Sequence, residues 1–546
     1  MASHKAIVQV FENYQKARIT FVQQIADLAL RPQNVDVLDS GNILDLLRPL
    51  LTDVCIQVQQ CAAIGLGRIL HQRETIALKA LNMNVLSILL TNIQNKNKYQ
   101  KKAILFVLRS ICKHGEDLCR NVVNSGGMPA VLYCLEDFEP IVKEAAAWVI
   151  GYVARTSKDL AHMCVQSGAV PLLVLCLQEP DLSLKQIAAS ALADIAKHSL
   201  EMAQTIEDAG AIPHLARNLN NTDEKLKRQV LYALSSCAKH STEMAEVIVE
   251  AELFPLVLIH LAHSCALVAK NAACLVRDVV KHSLELAQLV ANTGGIGALL
   301  EVIQHTDGDC RIPSITALGY MAAHSEQLAK SIISNQGVNE LTKILYECQD
   351  DATLAVTVWA LGQVGKHSPE HAQEVANGNT LVKILNLYNT RSSSEDMKFK
   401  AKSTLKTILQ RCVMLSALEP LLYEAPQEIL KYVLGQYSKV LPHDPKARRL
   451  FVTTGALKRI QEIDAKPGST LLEYISVINA SFPDEIVRYY SPGYPETLLD
   501  KVEQYSPQMA TVFKETRRKD SDLQTDVSVL LDDTASSISQ DVIENI

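Results

Sequence analysis

A histidine recurs along the chain at multiples of 42 residues, with one residue added at the last step: His114, His198, His240, His282, His324 and His367. Two more columns keep the same register. The first is proline, at Pro129, Pro171, Pro213 and Pro255, and the second is glycine, at Gly126, Gly168, Gly210 and Gly294. A period of roughly 40–47 residues is typical of helical repeat arrays, in which each unit buries its apolar face against its neighbours.

One repeat predicts three helices. The apolar spacing of Val142–Ala154, preceded by acidic residues, predicts a long helix. Ser157 is placed to cap a short helix over Lys158–Gln166, and Gly168 is placed to end it. A third helix, Pro171–Leu177, then begins with a proline in its first turn, where a missing N–H costs nothing. Three helices in each period favour an armadillo unit over a HEAT unit.

These patterns predict an all-α fold, namely a right-handed armadillo-repeat α-solenoid of about nine 42-residue repeats with a C-terminal helical cap. The low aromatic content of 5% beside 48% hydrophobic residues suits helices packed by Leu, Ala, Val and Ile. The predicted organisation is an N-terminal helical cap at 1–20, armadillo repeats at 21–390, a degenerate repeat and loop at 391–419, a C-terminal helical cap at 420–505 and a disordered tail at 506–546.

Composition excludes several classes of protein. A net charge of −7 argues against a general nucleic-acid binder. The first residues lack the apolar core of a secretory signal, and the apolar run Ala169–Leu177 is far shorter than the ~20 residues that a membrane helix needs. The thirteen cysteines show no C-x-x-C pair, and Cys112, Cys164 and Cys274 fall on apolar helical positions. We therefore expect reduced, buried thiols in an intracellular protein, with neither nucleic acid nor membrane as a partner.

The histidine column is the obvious candidate for metal or acid–base chemistry, but its spacing favours a structural role. Each histidine falls at the end of a long helix, where it can favour the negative helix terminus, and the serine after it can cap the next helix. Equivalent positions in stacked helices lie ~8–10 Å apart, whereas zinc needs ligands within ~2.1 Å. The Gly295–Gly297 fragment lacks the third glycine of a dinucleotide loop, and no nucleotide or hydrolase motif is found. We expect no catalytic residue, no metal and no cofactor, and so no enzyme.

A helical repeat array has a groove in which a partner protein can bind. Positions i, i+4 and i+8 of each long helix share one face, and both tryptophans of the chain occupy the same position on it. Aromatic side chains together with arginine and lysine are typical of binding anchors, although the same spacing also suits core residues. The predicted partner groove is Lys102, Phe106, Trp148, Tyr152, Asp194, Arg228, Tyr232, Lys270, Asp278, Tyr320, Trp359 and Gln363.

A second basic column lies about half a turn around the helices from this face. We interpret it as a solvated basic edge that is able to face acidic tubulin surfaces. Its members are Lys101, Lys143, Lys185, Lys227 and Arg311.

The repeats resemble the armadillo superfamily of importin-α and β-catenin. Importin-α recognises nuclear signals through a row of groove asparagines, each four residues after a tryptophan. The corresponding positions here hold no asparagine: Ser110, Tyr152, Asp194, Ser236, Asp278, Tyr320 and Gln363. A nuclear import receptor is therefore not expected.

A closer resemblance is to the sperm-associated antigen 6 family. It is carried by the lysine-histidine-serine columns, by the strings 135–138 and 144–148 and, more specifically, by the strings 439–444, 446–452 and 485–494. The resemblance runs from about Val8 to Leu499. Departures are concentrated in the repeat 71–113, where Gln72 and Met83 replace expected residues, and at Ala251-Glu252, where the glycine is lost.

The resemblance implies a structural protein of the ciliary and flagellar axoneme, in the central-pair apparatus and needed for motility. Its implied partners are tubulin, the microtubule, other central-apparatus proteins and further copies of the chain, and its implied location is the cytoskeleton within the cytoplasm and cilium. The residues alone support only a groove-bearing scaffold. The alternative is a cytosolic armadillo adaptor that grips an extended peptide in its groove, and a metal-dependent hydrolase is the enzyme rival.

Overall fold

The computed structural model describes residues 4–251, 253–488 and 496–506, and these residues form helices joined by short turns, with no strand among them. They divide into two compact units, Met1–Ala360 and Leu361–Ile546, with the division inside one helix. The predicted all-α fold is confirmed. The tail predicted to be disordered lies almost wholly outside the described residues.

The first unit is a series of helix triplets, each with one long helix followed by two shorter ones. In chain order its helices are α1 (His4–Leu28), α2 (Pro32–Ser40), α3 (Ile43–Leu50), α4 (Ile56–Gln72), α5 (Glu74–Asn82), α6 (Val85–Leu90), α7 (Lys98–Cys112), α8 (Glu116–Asn124), α9 (Gly127–Leu135), α10 (Pro140–Thr156), α11 (Lys158–Gln166), α12 (Ala169–Cys176), α13 (Leu182–Ala196), α14 (Leu200–Asp208), α15 (Ala211–Asn218), α16 (Glu224–Ala238), α17 (Thr242–Glu250), α18 (Phe254–Leu261), α19 (Ala266–Val280), α20 (Leu284–Asn292), α21 (Gly295–His305), α22 (Ile312–His324), α23 (Glu326–Ser334) and α24 (Gly337–Glu347). The division falls within the next helix, α25 (Asp351–Gly365).

The second unit continues with helices of similar length. They are α26 (Pro369–Ala376), α27 (Thr380–Asn389), α28 (Glu395–Leu409), α29 (Leu415–Glu424), α30 (Gln427–Val440), α31 (Pro445–Thr453), α32 (Ala456–Gln461), α33 (Thr470–Asn479), α34 (Asp484–Val487) and α35 (Glu496–Gln504). Short 3-10 turns lie at Ile93–Asn95, Gly308–Cys310 and Asn377–Asn379.

Serine caps begin the second helix of successive triplets. Ser157 ends α10 in an extended conformation, and its hydroxyl accepts a hydrogen bond from the Leu160 N–H in the first turn of α11. The same cap is made by Ser199, Ser241, Ser283, Ser325 and Ser368. Since the first N–H groups of a helix have no partner within it, each cap satisfies a donor that would otherwise be unpaired.

A residue in the left-handed conformation separates the second and third helices of a triplet. Gly168 has φ of +85° there, and glycine adopts this conformation without a Cβ penalty. In the α23–α24 turn the glycine is one residue late, at Gly337, so Gln336 takes the left-handed position with φ of +64°. The prolines fall slightly later than predicted, as Pro171 is the third residue of α12, but still within the first turn, where no intrahelical N–H bond is lost.

The core of the first unit lies between its long helices, which pack on one another in sequence from α4 to α22. Small and branched side chains fill these interfaces; in α13, for example, Ala188, Ala189 and Ile195 are fully buried. Close packing of this kind stabilises by roughly 25 cal/mol for each Å² of apolar surface removed from water. Each long helix is therefore buried on two sides by its neighbours and leaves a narrow face open.

All thirteen cysteines are free thiols, and seven of them are buried. Cys112 and Cys164 lie in the core, as their apolar positions predict, and burial raises the pKa of Cys164 to about 12. Cys274 is only half-buried, because it lies on the open face of α19.

Within the region 420–505, predicted to be a C-terminal helical cap, the described helices α30 to α32 repeat the triplet geometry. Helix α30 is long, Asp444 caps the short α31 through the Ala447 N–H, and Gly455 has φ of +82° before α32. The 42-residue columns are absent since aspartate replaces the capping serine and the spacing changes. The stretch 391–419, predicted to be a degenerate repeat and loop, contains the capped helix α28.

Candidate partner surface on the long helices

The candidate surface is the open face of the long helices α7 to α19 in the first unit, which we call the long-helix stripe. Lys102 on α7 is exposed, and the stripe positions that follow it are mostly half-buried, with one edge in contact with the neighbouring helix and the other open. The half-buried members of the predicted groove in this unit are Phe106, Trp148, Tyr152, Arg228, Tyr232, Lys270 and Trp359. Gln363 is half-buried in the second unit and accepts a hydrogen bond from the Lys366 ammonium.

An arginine framed by aromatic rings lies at the start of the stripe. The Arg109 guanidinium carbon is 4.6 Å from the centre of the Trp148 ring, 5.6 Å from Phe106 and 5.8 Å from Tyr152. The rings of Trp148 and Tyr152 are 6.0 Å apart. Arg155 lies over the far side of the cluster, 5.4 Å from the Tyr152 ring. These cation–π contacts hold both arginines in fixed orientations on the surface.

Two of the predicted anchors owe their positions to a glycine on the preceding long helix. A Cβ at Gly67 would lie 2.5 Å from the Phe106 ring, and a Cβ at Gly319 would lie 2.2 Å from the Trp359 ring. The missing side chain lets each ring lie close to the backbone of the helix before it. Phe106 and Trp359 are therefore partly packing residues, which is the alternative that their helical spacing left open.

Three of the predicted groove residues are buried and cannot contact a partner directly. Asp194, Asp278 and Tyr320 have exposed fractions of 0%, 3% and 5%. The predicted stripe is thus corrected at these positions, because the face that they occupy is covered by a side chain from a neighbouring position. Tyr320, for example, is covered by Trp359, whose ring centre lies 5.2 Å from its own.

The two buried aspartates instead neutralise arginines at the surface. Asp194 accepts hydrogen bonds from Arg155 at 3.1 Å and from the Lys197 ammonium at 3.2 Å. Asp278 is paired with Arg277 at 2.8 Å and accepts a 2.6 Å hydrogen bond from the Ser235 hydroxyl. Although burial alone raises a carboxyl pKa, Arg277 and the hydrogen bonds hold the pKa of Asp278 below its usual value.

Burial also changes the chemistry available at Tyr232. It raises the pKa of this phenol, with a further contribution from the nearby Asp194 carboxylate. A phenol is already neutral at physiological pH, so Tyr232 contributes an aromatic face, with Arg228 and Lys270 half-buried on the same stripe.

The basic edge is not the free, solvated surface that the sequence suggests. Lys101 is only 8% exposed and its ammonium lies 2.7 Å from the Asp137 carboxylate, while Lys143 lies 2.6 Å from Glu179. Each of these carboxylates belongs to the turn before the following long helix. Lys227 reaches His263 in the same way, at 3.5 Å. These side chains connect neighbouring repeats. Their predicted role as contacts for a partner is therefore wrong, and their role is structural.

Arg311 likewise turns inward. Its guanidinium donates to the Thr306 carbonyl and to the Asp307 carboxylate in the same turn. Lys185 is half-buried and forms no ion pair with a described residue, so among the members of the basic edge it is the one still available to a partner.

The histidine column connects each repeat to the one before it. His198 Nε2 lies 2.7 Å from the Ala154 carbonyl oxygen, an unpaired acceptor in the last turn of the preceding long helix. Because a carbonyl only accepts, Nε2 carries the proton and donates it. The same bond, 44 residues back along the chain, is made at 2.6–2.8 Å by His114, His240, His282 and His324. The histidines therefore have a structural role, as predicted. Its cause is a hydrogen bond to the preceding repeat, and not the dipole of the helix on which each histidine lies.

Burial favours the neutral form of three of these imidazoles. It lowers the pKa of His240 to about 4 and also lowers the pKa of His198 and His282, and the adjacent lysines add to the effect. Across the described ranges no group of three or more His, Cys, Asp or Glu side chains is arranged to hold a metal ion. No single described helix is long and apolar enough to cross a membrane. Two pairs of consecutive helices, each pair sharply bent, together have the length and apolar composition of a membrane span, and only these two properties support such a role.

A row of cations at the ends of the long helices was not predicted from the sequence as a separate feature, because its lysines were interpreted as part of the histidine motif. It also recurs with the 42-residue period, and we call it the basic row: Lys113, Arg155, Lys197, Lys239 and Lys281. Four of the five are the C-terminal caps of α7, α13, α16 and α19, where a positive charge is favoured by the helix dipole. The periodic lysine was the available signal.

Comparison of the amino-acid sequence with known proteins finds similar sequences. Sperm-associated antigen 6 from Homo sapiens and from Mus musculus are each 60% identical to it over 163 residues, which are 30% of this chain and 32% of the relative. Over these residues the chain is similar to sperm-associated antigen 6. The resemblance to sperm-associated antigen 6 is confirmed over 163 residues, and the match spans about a third of the length of these curated relatives.

The remaining comparisons bear on the fold. The family model of non-SMC mitotic condensation complex subunit 1 matches residues 127–256, which is less than half of the chain. The crystal structure of an engineered protein superposes with a TM-score of 0.64 at 19% identity, covering 82% of this chain and 99% of that one. A designed armadillo repeat protein is 21% identical, with a TM-score of 0.42, over 43% of this chain and 99% of its own. The helix triplets and the superposition on the engineered protein show an all-α repeat fold.

Proposed function

We propose that the chain is a non-enzymatic scaffold of the central-pair apparatus of cilia and flagella, where it binds microtubule and projection proteins and is needed for motility. The observation that carries the proposal is the 60% identity to sperm-associated antigen 6 over 163 residues. The axonemal location, in the cytoskeleton of the cilium, and tubulin as a partner are part of this proposal.

The arrangement of polar side chains supports a scaffold. The ladder histidines, which were the best candidates for chemistry, are bonded to backbone carbonyls, and the buried aspartates are paired with arginine. What the repeats expose is a regular surface of half-buried aromatic and basic side chains on consecutive helices, which is suited to extended contacts with other proteins.

Fractionation of motile axonemes tests the proposal. After detergent extraction the chain should remain in the microtubule pellet, together with central-pair markers, and a high-salt wash should release it only with them. Recovery of the chain wholly in the detergent-soluble fraction would contradict the proposal.

A cytosolic adaptor that binds an extended peptide is the second candidate, favoured by the cluster of Arg109, Trp148 and Tyr152. Replacing Trp148 by alanine should abolish capture of a peptide partner, whereas a lattice scaffold with many contacts should lose little from this one change. Trp359 is a poor choice for this test, because its ring packs on Gly319 and its loss would disturb the fold.

A further inference from the structure

The last described helix, α35, is held on α31 by ion pairs and by apolar contact. Its Asp500 and Glu503 carboxylates lie 3.5 and 3.4 Å from the Arg449 guanidinium on α31. Its apolar side chains Leu499 and Val502 are buried. An acidic helix near the C-terminal end of the chain is therefore already bound to a basic helix of the same unit.

Arg448 fixes the place at which the described chain ends. This side chain is 2% exposed, and its guanidinium donates to the carbonyl oxygens of Val502 at 3.2 Å and Tyr505 at 2.9 Å. It also donates to the carbonyl oxygens of Leu441 and Pro442, in the turn between α30 and α31. The chain therefore leaves the described part of the structure at this turn, directly before α31.

The helices α31 and α32 present a basic surface beside this exit. Residues 445–461 contain five lysines and arginines and no acidic residue. Apart from the buried Arg448, these cations are exposed or half-buried, and Leu450 between them is 45% exposed. We call the resulting patch the terminal basic surface: Lys446, Arg449, Leu450, Lys458 and Arg459.

Several donors of the terminal basic surface lack an acceptor. Lys446 and Lys458 are exposed and form no ion pair with a described residue. Arg459 reaches Glu462 at 3.7 Å, but its Nε is buried without a hydrogen-bond partner. A buried donor without a partner is costly, so a segment that supplies acceptors here would be stabilised.

The sequence beyond the described residues carries the complementary charge. The segment 520–546 contains seven acidic residues and no lysine or arginine, whereas residues 1–519 contain 53 basic and 53 acidic residues. The whole net charge of −7 is thus confined to this segment. A mainly apolar run, Val527–Leu531, lies between Asp526 on one side and Asp532 and Asp533 on the other. Its pattern of acids around an apolar centre matches the cations around Leu450.

We propose that the acidic segment 520–546 docks on the terminal basic surface of its own chain, with its carboxylates on Lys446 and Lys458 and Val527–Leu531 against Leu450. The docked segment continues the interface that α35 begins, and it closes this surface to other acidic chains. The inference goes beyond the proposed scaffold function and does not depend on it.

The connecting residues are long enough for this docking. Thirteen residues, 507–519, separate the last described residue from the acidic segment, and an extended chain of that length spans roughly 40 Å. The nine residues of α31 extend over only about 14 Å. Exposed ion pairs are individually weak. A short tether, however, gives the segment an effective concentration on the order of millimolar, so a weak site is still occupied.

Fluorescence anisotropy with a labelled peptide of sequence 520–546 tests the proposal. The peptide omits the cations of the connecting residues, Lys514 and 517–519, which could otherwise pair with its acids. It is added to the wild-type chain and to a full-length variant in which the seven acids of 520–546 are replaced by asparagine or glutamine. The variant should bind the peptide roughly tenfold more tightly, because its own neutral segment no longer competes. Raising the salt from about 0.1 M to 1 M should remove most of the binding.

Matched substitutions in the neutralised chain locate the binding site. Lys446→Glu combined with Lys458→Glu should weaken peptide binding roughly tenfold or more. Lys225→Glu combined with Lys406→Glu makes the same change of charge at exposed positions on α16 and α28, and should change the affinity by less than about twofold. Leu450→Ser keeps the charge and should weaken binding several-fold. Circular dichroism melting of each variant shows whether a change in affinity is a change in folding.

Equal weakening by the two lysine pairs would overturn the proposal, and so would equal affinity of the wild-type and neutralised chains. Carbodiimide cross-linking of the dilute wild-type chain tests whether the contact is intramolecular. Cross-links from acids of 520–546 to Lys446 or Lys458 should appear in the monomer. Cross-links found only in dimers, or only to Lys514 and Lys519, would contradict docking on the terminal basic surface of the same chain.

Discussion

The ring of Trp359 lies against the backbone of Gly319 on the preceding long helix, at the point where a Cβ would be 2.2 Å from Cζ3. The edge of the same ring meets Tyr320 at a centroid distance of 5.2 Å. A glycine inside a helix normally weakens it by ~0.5–1 kcal/mol relative to alanine. Here the space that it leaves is filled by the largest side chain of the next long helix.

Gly319→Ala should therefore destabilise the protein by about 1–3 kcal/mol, despite the better helix propensity of alanine, because the rigid indole must move. Tryptophan fluorescence should shift as the ring becomes more exposed, and urea unfolding gives the stability change. The control is Gly297→Ala, in the first turn of α21, where an added Cβ meets nothing within 4 Å. A Gly319→Ala variant as stable as Gly297→Ala would show that the ring is not held there.

Loss of one ladder histidine should weaken the interface between two repeats. His240→Ala leaves the Ala196 carbonyl without its donor and should lower the free energy of unfolding by about 1–3 kcal/mol. Hydrogen exchange should rise mainly in the repeats flanking the bond. His305→Ala is the control, since His305 is exposed and bonds only within its own helix; comparable losses in the two variants would argue against an inter-repeat role.

Acid should destabilise the first unit before its carboxylates titrate. The pKa of His240 is lowered to about 4 in the folded protein from 6.5, so between these values the unfolded chain binds a proton that the folded chain does not. Stability from this group is complete above about pH 6.5 and is lost as the pH falls toward 4. The pKa values of His198 and His282 are lowered in the same direction.

Thermal melting measured between about pH 7.5 and pH 4.5 checks this expectation. A variant with His198, His240 and His282 all replaced by glutamine keeps a side-chain donor but does not titrate, so its melting temperature should depend less on pH. An unchanged slope in this variant would mean that other groups cause the acid sensitivity.

Lys101 should contribute to stability and not to partner binding. Lys101→Met leaves the Asp137 carboxylate without its partner in a nearly buried position and should cost about 1–3 kcal/mol. Lys185→Met, in the equivalent position two repeats later, removes no ion pair to a described residue and should cost little. Chemical denaturation of both variants, beside a microtubule co-sedimentation assay, separates the two roles; weaker sedimentation with unchanged stability in Lys101→Met would restore the basic edge as a partner surface.

Local features of the fold were predictable because they depend on a few neighbouring residues. Ser157 and Gly168 mark the ends of α11 by their own hydrogen bonding and backbone conformation, and Lys158–Gln166 was predicted with the observed bounds. The turn at Gln336 was less predictable, because only the geometry shows that the residue before Gly337 takes the left-handed conformation. Gln336→Gly should accordingly stabilise by roughly 1 kcal/mol.

The candidate surface was only partly predictable, because its character depends on contacts between repeats. The helical period correctly places Trp148 and Tyr152 on an open face, but it cannot show that Asp194, on the same stripe, is buried beneath Arg155. Nor does it show that Lys101 reaches a turn in the next repeat. Such contacts join residues 36 to 44 positions apart, and their distances are set by how tightly the helices stack.

The bond from each ladder histidine reaches only the adjacent repeat, and this has a mechanical consequence. The ladder bonds at His198, His240 and His282 each join two adjacent repeats, and none of these three bonds spans a longer distance along the unit. A pulling force along the first unit is therefore transmitted through one interface after another. Under load the unit should therefore extend in small steps, one interface giving way while the others hold, and recover when the load is released. A material with that response absorbs repeated bending without failing as a whole.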